Sequence, residues 1–263
     1  MEYKTVIYKK EGSIGFVIMN RPEVLNALNA VMDEELYQVL LEARKDPEVR
    51  VVLLRGAGRA FTAGQDVKEF AEAYASGLAP DFKAGLQRRK RVLTLIREMP
   101  KPVLAAINGV VAGIGIALAL VCDVRIATKS ARFVPAFSRI GLIPDGGFVY
   151  LMSKFLPPGK IFDLYAMNRE ISGEEAYKLG LVEYLVDDDK FEEEVVKIAK
   201  LYAEGPTYAF SLTKQVINMT LFADYSLAYD IEMEMQEKAS KSEDHREGVR
   251  AFIEKRRPLF KGK

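Results

Sequence analysis

The sequence predicts an α/β protein in which strand-strand-helix units are followed by a helical C-terminal region. Short apolar runs typical of buried strands alternate with segments whose apolar residues recur at helical spacing. Glycine, proline and asparagine stand between these segments at turn positions. From about residue 190 onward only helical spacing remains. We therefore divide the chain into a core, residues 1–190, and a helical region, residues 191–263, that can pack on the core or on a neighbouring subunit.

The first elements are predicted from turn signals and spacing. Residues 6–8 and 14–19 read as two strands, because the turn residues Gly12 and Ser13 separate them. Apolar residues then recur at helical spacing up to Asp46-Pro47, which ends this helix. Residues 51–54 are a continuous apolar run, as in a buried strand, and residues 83–99 form the next predicted helix.

Residues 103–122 carry no charge over twenty positions, which is long enough to span a bilayer. Asn108-Gly109 is a strong turn signal within this stretch, so we predict a buried strand over 103–107 and a buried helix over 113–121. A further strand follows over 123–128. The helical region contains four predicted helices, at residues 191–204, 207–219, 227–241 and 246–255.

Composition excludes several classes of function. The 38 Lys and Arg balance 37 Asp and Glu, which argues against nucleic acid or a membrane surface as partner. A single cysteine, Cys122, excludes an intrachain disulfide, and its apolar surroundings predict a core residue. The chain starts without an apolar signal core, and we expect a cytoplasmic protein. With His245 as the only histidine, we expect no histidine-based metal site.

Two glycine-containing loops are candidates for binding a developing negative charge. Residues 55–66 and residues 108–115 each lie between a predicted strand and a predicted helix. Such loops leave unpaired backbone N–H groups at the start of a helix, where they favour an anion. Two donors from two loops could converge on one oxygen. The alternative is that the glycines only permit tight packing.

A single acid stands in an otherwise apolar segment, residues 133–147. Asp145 would have a raised pKa in an apolar pocket, as a general base for a carbon acid requires. The alternative is that Asp145 caps the following helix. For Asp66, at the end of the first loop, we prefer a structural role as a helix cap or loop anchor.

Six segments in this order resemble the enoyl-CoA hydratase/isomerase (crotonase) family over nearly the whole chain. They are Arg21-Pro22 with Leu25-Asn26-Ala27-Leu28, residues 60–66, Asn108 to Gly115 with Cys122-Asp123, residues 141–147, residues 171–182, and the C-terminal residues 252–262. This resemblance implies a spiral of ββα units with a helical C-terminal trimerisation region. It also implies an acyl-CoA substrate, no tightly bound cofactor beyond the coenzyme A of the thioester, and a homotrimer or dimer of trimers.

The resemblance also implies roles for individual residues. The backbone N–H groups of Thr62 and Ile114 would form an oxyanion hole for the thioester oxygen. Ala117, Phe137 and Leu142 would line the acyl pocket. The residues placed at coenzyme A are Leu25, Ala27, Ala60, Gly64, Gln65, Asp66, Lys255 and Phe260, with Arg256 and Lys261 as further candidates for its phosphates. For the basic C-terminal residues, a solvated tail is the alternative.

The resemblance also bears on the reaction. Family hydratases use two glutamates, and those positions fall on Ala117 and Phe137, which cannot move a proton. Asp145 lies where some family isomerases carry their acid, and residues 136–145 resemble the phenylacetate-type enoyl-CoA isomerase branch. We therefore predict a double-bond shift between the 3,4 and 2,3 positions of an acyl-CoA, with Asp145 as proton shuttle and a ring-modified aromatic acyl group as one candidate substrate.

Three alternatives stay open at this point. A hydratase in fatty-acid or aromatic-acid degradation could act through Asp145 and a bound water. A related branch displaces halide from aromatic acyl-CoA with an Asp at this turn, but it employs a histidine base, and residues 83–99 contain none. A non-catalytic CoA-binding or RNA-binding scaffold could have kept the fold.

Overall fold

A computed structural model of the chain describes residues 3–221 and 224–259, and it contains ten strands in this part of the chain. They are β1 (Val6–Glu11), β2 (Ile14–Met19), β3 (Val51–Gly56), β4 (Ala60–Thr62), β5 (Val103–Ile107), β6 (Val110–Ala112), β7 (Val124–Thr128), β8 (Arg132–Val134), β9 (Ile171–Ser172) and β10 (Tyr184–Val186).

Eleven α-helices cover much of the remaining described chain. They are α1 (Ala30–Lys45), α2 (Val67–Ala75), α3 (Phe82–Arg97), α4 (Ile114–Leu120), α5 (Phe148–Met152), α6 (Pro158–Ala166), α7 (Gly173–Lys178), α8 (Phe191–Glu204), α9 (Thr207–Leu221), α10 (Tyr225–Ser240) and α11 (Glu243–Ile253). Short 3-10 helices lie at Pro22–Val24, Phe137–Ile140 and Asp188–Lys190.

The ten described strands form two sheets. The six-stranded sheet has the order β1-β2-β3-β5-β7-β10, and only β1 is antiparallel to its neighbour. The four-stranded sheet has the order β4-β6-β8-β9, with β9 antiparallel. Consecutive strand pairs β3-β4, β5-β6 and β7-β8 therefore each contribute one strand to each sheet, and helices follow. This is the predicted spiral of ββα units.

The buried segments explain why these elements form. All five residues of β5 and of β7 are buried, as expected for strands inside a parallel sheet. Helix α4 is buried along its whole length, so the uncharged stretch 103–122 is a strand, a turn, a short strand and a core helix. None of the described helices is long and apolar enough to cross a membrane.

The C-terminal helices pack on the core of the same chain. Helix α10 lies against α3, and α11 contacts both α2 and the 3-10 helix Phe137–Ile140. The inward face of α10 is buried at Tyr225, Tyr229 and Gln236. These contacts bring the helical region to the segment that carries Asp145.

Candidate active site

The first glycine-containing loop is attached to residues 25–28 by hydrogen bonds. The Ala63 N–H donates to Leu25 O at 2.8 Å, and the Leu28 N–H donates to Gly64 O at 2.7 Å. The Thr62 hydroxyl donates to Asn26 O at 2.7 Å and accepts from the Gly64 N–H at 3.1 Å. The residues predicted to contact coenzyme A around positions 25–28 and 60–66 are thus joined in one structural unit.

Asp66 ends this loop in a structural role, as predicted. Its carboxylate caps α2 by accepting from the Lys68 N–H at 3.2 Å and pairs with Arg21 at 2.8 Å. Ala60 and Ala27 are buried, and Leu25 adopts a left-handed backbone with φ of 53°. These positions fix the shape of the loop.

The second loop leads into α4. Gly113 has φ of 51° and donates its N–H to Val134 O at 2.9 Å. Ile114 is the first residue of α4, so its N–H belongs to the first helical turn and has no intrahelical acceptor. Such an amide is available to an anionic oxygen.

The two loops touch each other. A methyl group at Gly64 would lie 2.6 Å from Ala112 O, closer than van der Waals contact allows. A methyl group at Gly115 would overlap the Cγ2 atom of Thr62. Glycine at both positions therefore lets the backbone of residue 62 approach the start of α4, where the resemblance places the two oxyanion donors.

The turn that carries Asp145 lies on α4. Gly146 has φ of 68°, and a methyl group there would collide with Cδ1 of Ile114 and come within 3.2 Å of Cβ of Ala117. Helix α5 begins after Gly147 without a side-chain cap, so the alternative role of Asp145 as helix cap is wrong. The acid instead sits beside the start of α4.

Asp145 is buried, with 8% of its surface exposed. Its Oδ2 atom accepts from Nε2 of Gln236 at 3.0 Å, while Oδ1 is buried without a hydrogen-bond partner among the described residues. Burial raises the pKa of Asp145 to about 6, although the Arg89 charge and the Gln236 hydrogen bond oppose the rise. A carboxyl with a pKa near neutrality can both take and return a proton.

A buried ion pair contacts the first loop and acts on the Asp145 carboxyl through its charges. Arg89 of α3 donates to both carboxylate oxygens of Asp33 at 3.1 and 2.7 Å and to Oε1 of Gln65 at 2.9 Å. Gln65 in turn donates to Glu69 at 3.0 Å. Gln65 is predicted to contact coenzyme A, but its side-chain amide makes hydrogen bonds within the protein.

Helix α10 supplies the remaining contacts with the turn. Glu232 accepts from the Gly147 N–H at 2.5 Å, and the Tyr225 hydroxyl donates to Gly146 O at 3.1 Å. Burial raises the pKa of Glu232 to about 8 against the effect of that N–H group. The sequence reasoning missed Arg89, Glu232 and Gln236. The available sequence signal was the helical spacing of Tyr229 and Gln236 within the predicted helix 227–241, and the structure buries both side chains.

The predicted acyl-pocket residues divide into two groups. Ala117 and Phe137 belong to the main core, with Ala117 beside Gly146 and the Phe137 ring 5.6 Å from that of Phe148. Leu142 lies in a separate cluster that includes Phe70 of α2. The two positions where family hydratases carry glutamates are therefore buried and apolar.

The basic C-terminal residues are only partly described. Lys255 is exposed beyond the end of α11, and Arg256 pairs with Glu247 at 2.6 Å and with Glu254 at 2.5 Å. These acids neutralise Arg256, which weakens it as a phosphate ligand. Phe260 and Lys261 lie outside the described residues.

Cys122 and His245 take no part in this arrangement. Cys122 is buried, as predicted, and burial raises the pKa of its thiol to about 12. His245 is fully buried and bonds to Ile140 O through Nδ1 at 2.8 Å.

Comparisons with known proteins agree with the motifs. The family model described as enoyl-CoA hydratase/isomerase matches residues 9–263. A 1,2-epoxyphenylacetyl-CoA isomerase from Escherichia coli (strain K12) is 38% identical over 254 residues, which is 96% of this chain and 97% of that protein. A probable enoyl-CoA hydratase from Rhodobacter capsulatus is 38% identical over the full length of both chains. The crystal structure of an enoyl-CoA hydratase from Mycobacterium avium subsp. paratuberculosis superposes with a TM-score of 0.89 at 31% identity, covering 99% of this chain and 100% of that one.

Proposed function

This chain belongs to the enoyl-CoA hydratase/isomerase family and is an enzyme of the crotonase superfamily, and from that premise we propose that it shifts the double bond of a 3-enoyl-CoA to the 2,3 position. One observation carries the proposal. Asp145 presents a buried carboxylate oxygen that has no hydrogen-bond partner in the described part of the chain, whereas Ala117 and Phe137 occupy the positions of the hydratase glutamates. A single carboxylate suits a reaction that removes one proton and returns it elsewhere.

The proposed chemistry needs no other side chain to move a proton. The Asp145 carboxylate takes a proton from C2, and the electron pair of that bond forms a C1=C2 double bond as the carbonyl pair moves onto the thioester oxygen. The resulting enolate is conjugated with the double bond between C3 and C4. The amides of Thr62 and Ile114 donate to this oxygen, and losing one such donor costs about 3–4 kcal/mol of barrier in other enzymes. Asp145 then returns the proton to C4, and the double bond ends between C2 and C3.

The E. coli relative acts on a ring-modified phenylacetyl-CoA according to its name, so an aromatic acyl group is a candidate substrate here. The second candidate function is hydration of a 2-enoyl-CoA, which the name of the Rhodobacter relative favours. In hydration, Asp145 would take a proton from a water molecule instead of from a carbon atom of the substrate.

Product analysis separates these reactions. Purified protein is incubated with a 3-enoyl-CoA and, separately, with a 2-enoyl-CoA, and the products are identified by mass and NMR. We expect interconversion of the two enoyl isomers and its loss in Asp145→Asn. A 3-hydroxyacyl-CoA as the main product would contradict the isomerase function and support the hydratase function. Full isomerase activity in Asp145→Asn would contradict the role of the acid.

We further propose that the protein assembles as a homotrimer or a dimer of trimers. Helix α9 carries its buried polar residues on one face and an exposed apolar stripe on the other, formed by Tyr208, Leu212, Val216 and Met219. Exposed apolar stripes of this kind mark interaction surfaces. Light scattering with size-exclusion chromatography should give three or six times the chain mass, and a monomer would contradict the proposal.

A further inference from the structure

Gln236 bridges the backbone and the side chain of the catalytic turn. It lies on the inward face of α10 with 1% of its surface exposed. Its Oε1 atom accepts from the Ile143 N–H at 3.1 Å, and its Nε2 atom donates to Oδ2 of Asp145 at 3.0 Å. One side chain from the C-terminal region therefore holds the turn and its acid together.

The hydrogen bonds of Gln236 favour one oxygen of Asp145 as the carrier of the proton. The Ile143 N–H can only donate, so the amide oxygen of Gln236 must face it and the NH₂ group must face Asp145. An NH₂ group can only donate, so Oδ2 accepts in both protonation states. The carbonyl oxygen of a carboxylic acid accepts a hydrogen bond better than its hydroxyl oxygen does, so this bond favours the acid proton on Oδ1, which has no competing partner among the described residues.

We propose that Gln236 is a positioning residue that holds Oδ2 of Asp145 and reserves Oδ1 as the atom that takes and returns the substrate proton. The inference rests on the proposed function of Asp145. In the first step an Oδ1–H bond forms as the C2–H bond breaks, and the electron pair passes to the thioester oxygen. In the second step the Oδ1–H bond breaks as a C4–H bond forms, so no other reactant is needed.

Other charged and titratable groups also influence Asp145. Arg89 of α3 lowers its pKa, Asp33 of α1 raises it, and Glu232 and Tyr229 of α10 interact with it. Substitution of Gln236 leaves these groups in place. Removing the Nε2–H donor withdraws a bond that favours the carboxylate, so the pKa of Asp145 should rise.

Two variants at position 236 and one neighbour on the same helix test the proposal. Gln236→Met removes both bonds at similar size. Gln236→Glu keeps an acceptor for the Ile143 N–H but replaces the donor to Asp145 by a second carboxyl. Glu237→Gln is the matched control, because Glu237 bonds to Lys241 on the outer surface at 2.9 Å. The readout is kcat/KM and kcat for the enoyl-CoA reaction between about pH 5 and 9.

The variants should shift the pH profile in a fixed order. In Gln236→Met the acid limb should move up by about one unit, the equivalent of one hydrogen bond to a charged group. The limiting kcat at high pH should also fall about tenfold, with KM changing less, because the carboxylate can rotate away from the reacting carbon. Gln236→Glu should shift the limb further, because an ionised neighbour repels the Asp145 carboxylate. The Glu237→Gln profile should superpose on that of the unsubstituted protein.

Unshifted acid limbs in both position-236 variants would overturn the inference, even if all rates were uniformly lower. A loss of folded protein scales every rate equally and leaves the limb in place. Thermal unfolding followed by circular dichroism identifies that case, and if Gln236→Met does not fold, the comparison of Gln236→Glu with Glu237→Gln decides. Loss of activity in Asp145→Asn with unshifted limbs rejects only the role of Gln236, whereas full activity in Asp145→Asn rejects the proposed function.

Discussion

The buried ion pair between Arg89 and Asp33 provides a demanding test of the energetics at this site. Arg89 is 5% exposed and Asp33 is 3% exposed, and two hydrogen bonds join them. Arg89→Met would keep most of the packing volume but leave the Asp33 carboxylate buried without its partner. Breaking a buried pair in this way typically costs about 3–5 kcal/mol.

This cost is large against the marginal stability of folded proteins, about 5–15 kcal/mol. For a chain of this size, about 3–5 kcal/mol corresponds to a fall in Tm of roughly 10 °C. The exposed pair Arg91 with Glu34 joins the same two helices at 3.2 Å and is the matched control. Arg91→Met should cost about 0–1 kcal/mol, because solvent screens an exposed pair.

Urea unfolding at pH 7 measures both variants, together with the double variant Arg89→Met/Asp33→Asn. The double variant should regain at least half of the lost stability, because no unpaired charge remains buried. Equal stability of Arg89→Met and Arg91→Met would refute the assignment of Arg89 as the partner of a buried charge. A double variant no more stable than Arg89→Met would refute it as well.

The acid, the loop contact and the turn can each be tested by a single change. Burial raises the pKa of Asp145, the proposed base, to about 6, so kcat/KM should fall as the pH drops through that value; a rate independent of pH between about 5 and 8 would contradict this. Gly64→Ala places a methyl group 2.6 Å from Ala112 O, at a position where φ is 84°. We expect kcat to fall about 10²–10³-fold, as it does when an oxyanion donor is lost. Unchanged kinetics would show that the contact between the two loops is dispensable. Tyr225→Phe removes the hydrogen bond to Gly146 O and should lower the free energy of unfolding by about 1 kcal/mol in urea titrations, a cost that would be absent if that bond were weak.

The strand and helix pattern was predictable wherever the signal is local. The strand Val103–Ile107 and the helix Phe191–Glu204 were predicted with the bounds that the structure shows. In both cases an unbroken pattern is bounded by turn or helix-ending residues, namely Pro102 with Asn108 and Gly205-Pro206. Local sequence therefore decides these elements.

The second sheet was not predictable in the same way. Strands β4 and β6 are three residues long and lie within the two predicted loops, because so short a segment shows no period of two. Their pairing depends on glycines that allow two distant loops to meet, such as Gly64 against Ala112. Only the resemblance to the family implied this arrangement.

The sequence predicts the turn that carries Asp145, but it does not predict the side chains that surround this acid. Asp145 is recognisable as a lone acid among apolar residues, and its burial follows from them. Its partner Gln236 is 91 residues away in sequence, and the partner pair Arg89 and Asp33 is 56 residues apart. Helical periodicity shows which face of a helix is buried, but it does not show which distant segment that face meets.

In the proposed mechanism, one carboxylate on this turn exchanges a proton with the α-carbon of an acyl-CoA thioester. Incubation of an enoyl-CoA in D₂O, followed by NMR, measures deuterium entering at C2 and C4 independently of net isomerisation. The protein should incorporate deuterium at both carbons, because the proton on the Asp145 carboxyl exchanges with D₂O before it is returned, and Asp145→Asn should bind the acyl-CoA without incorporating it. Incorporation by Asp145→Asn at the rate of the unsubstituted protein would contradict the account.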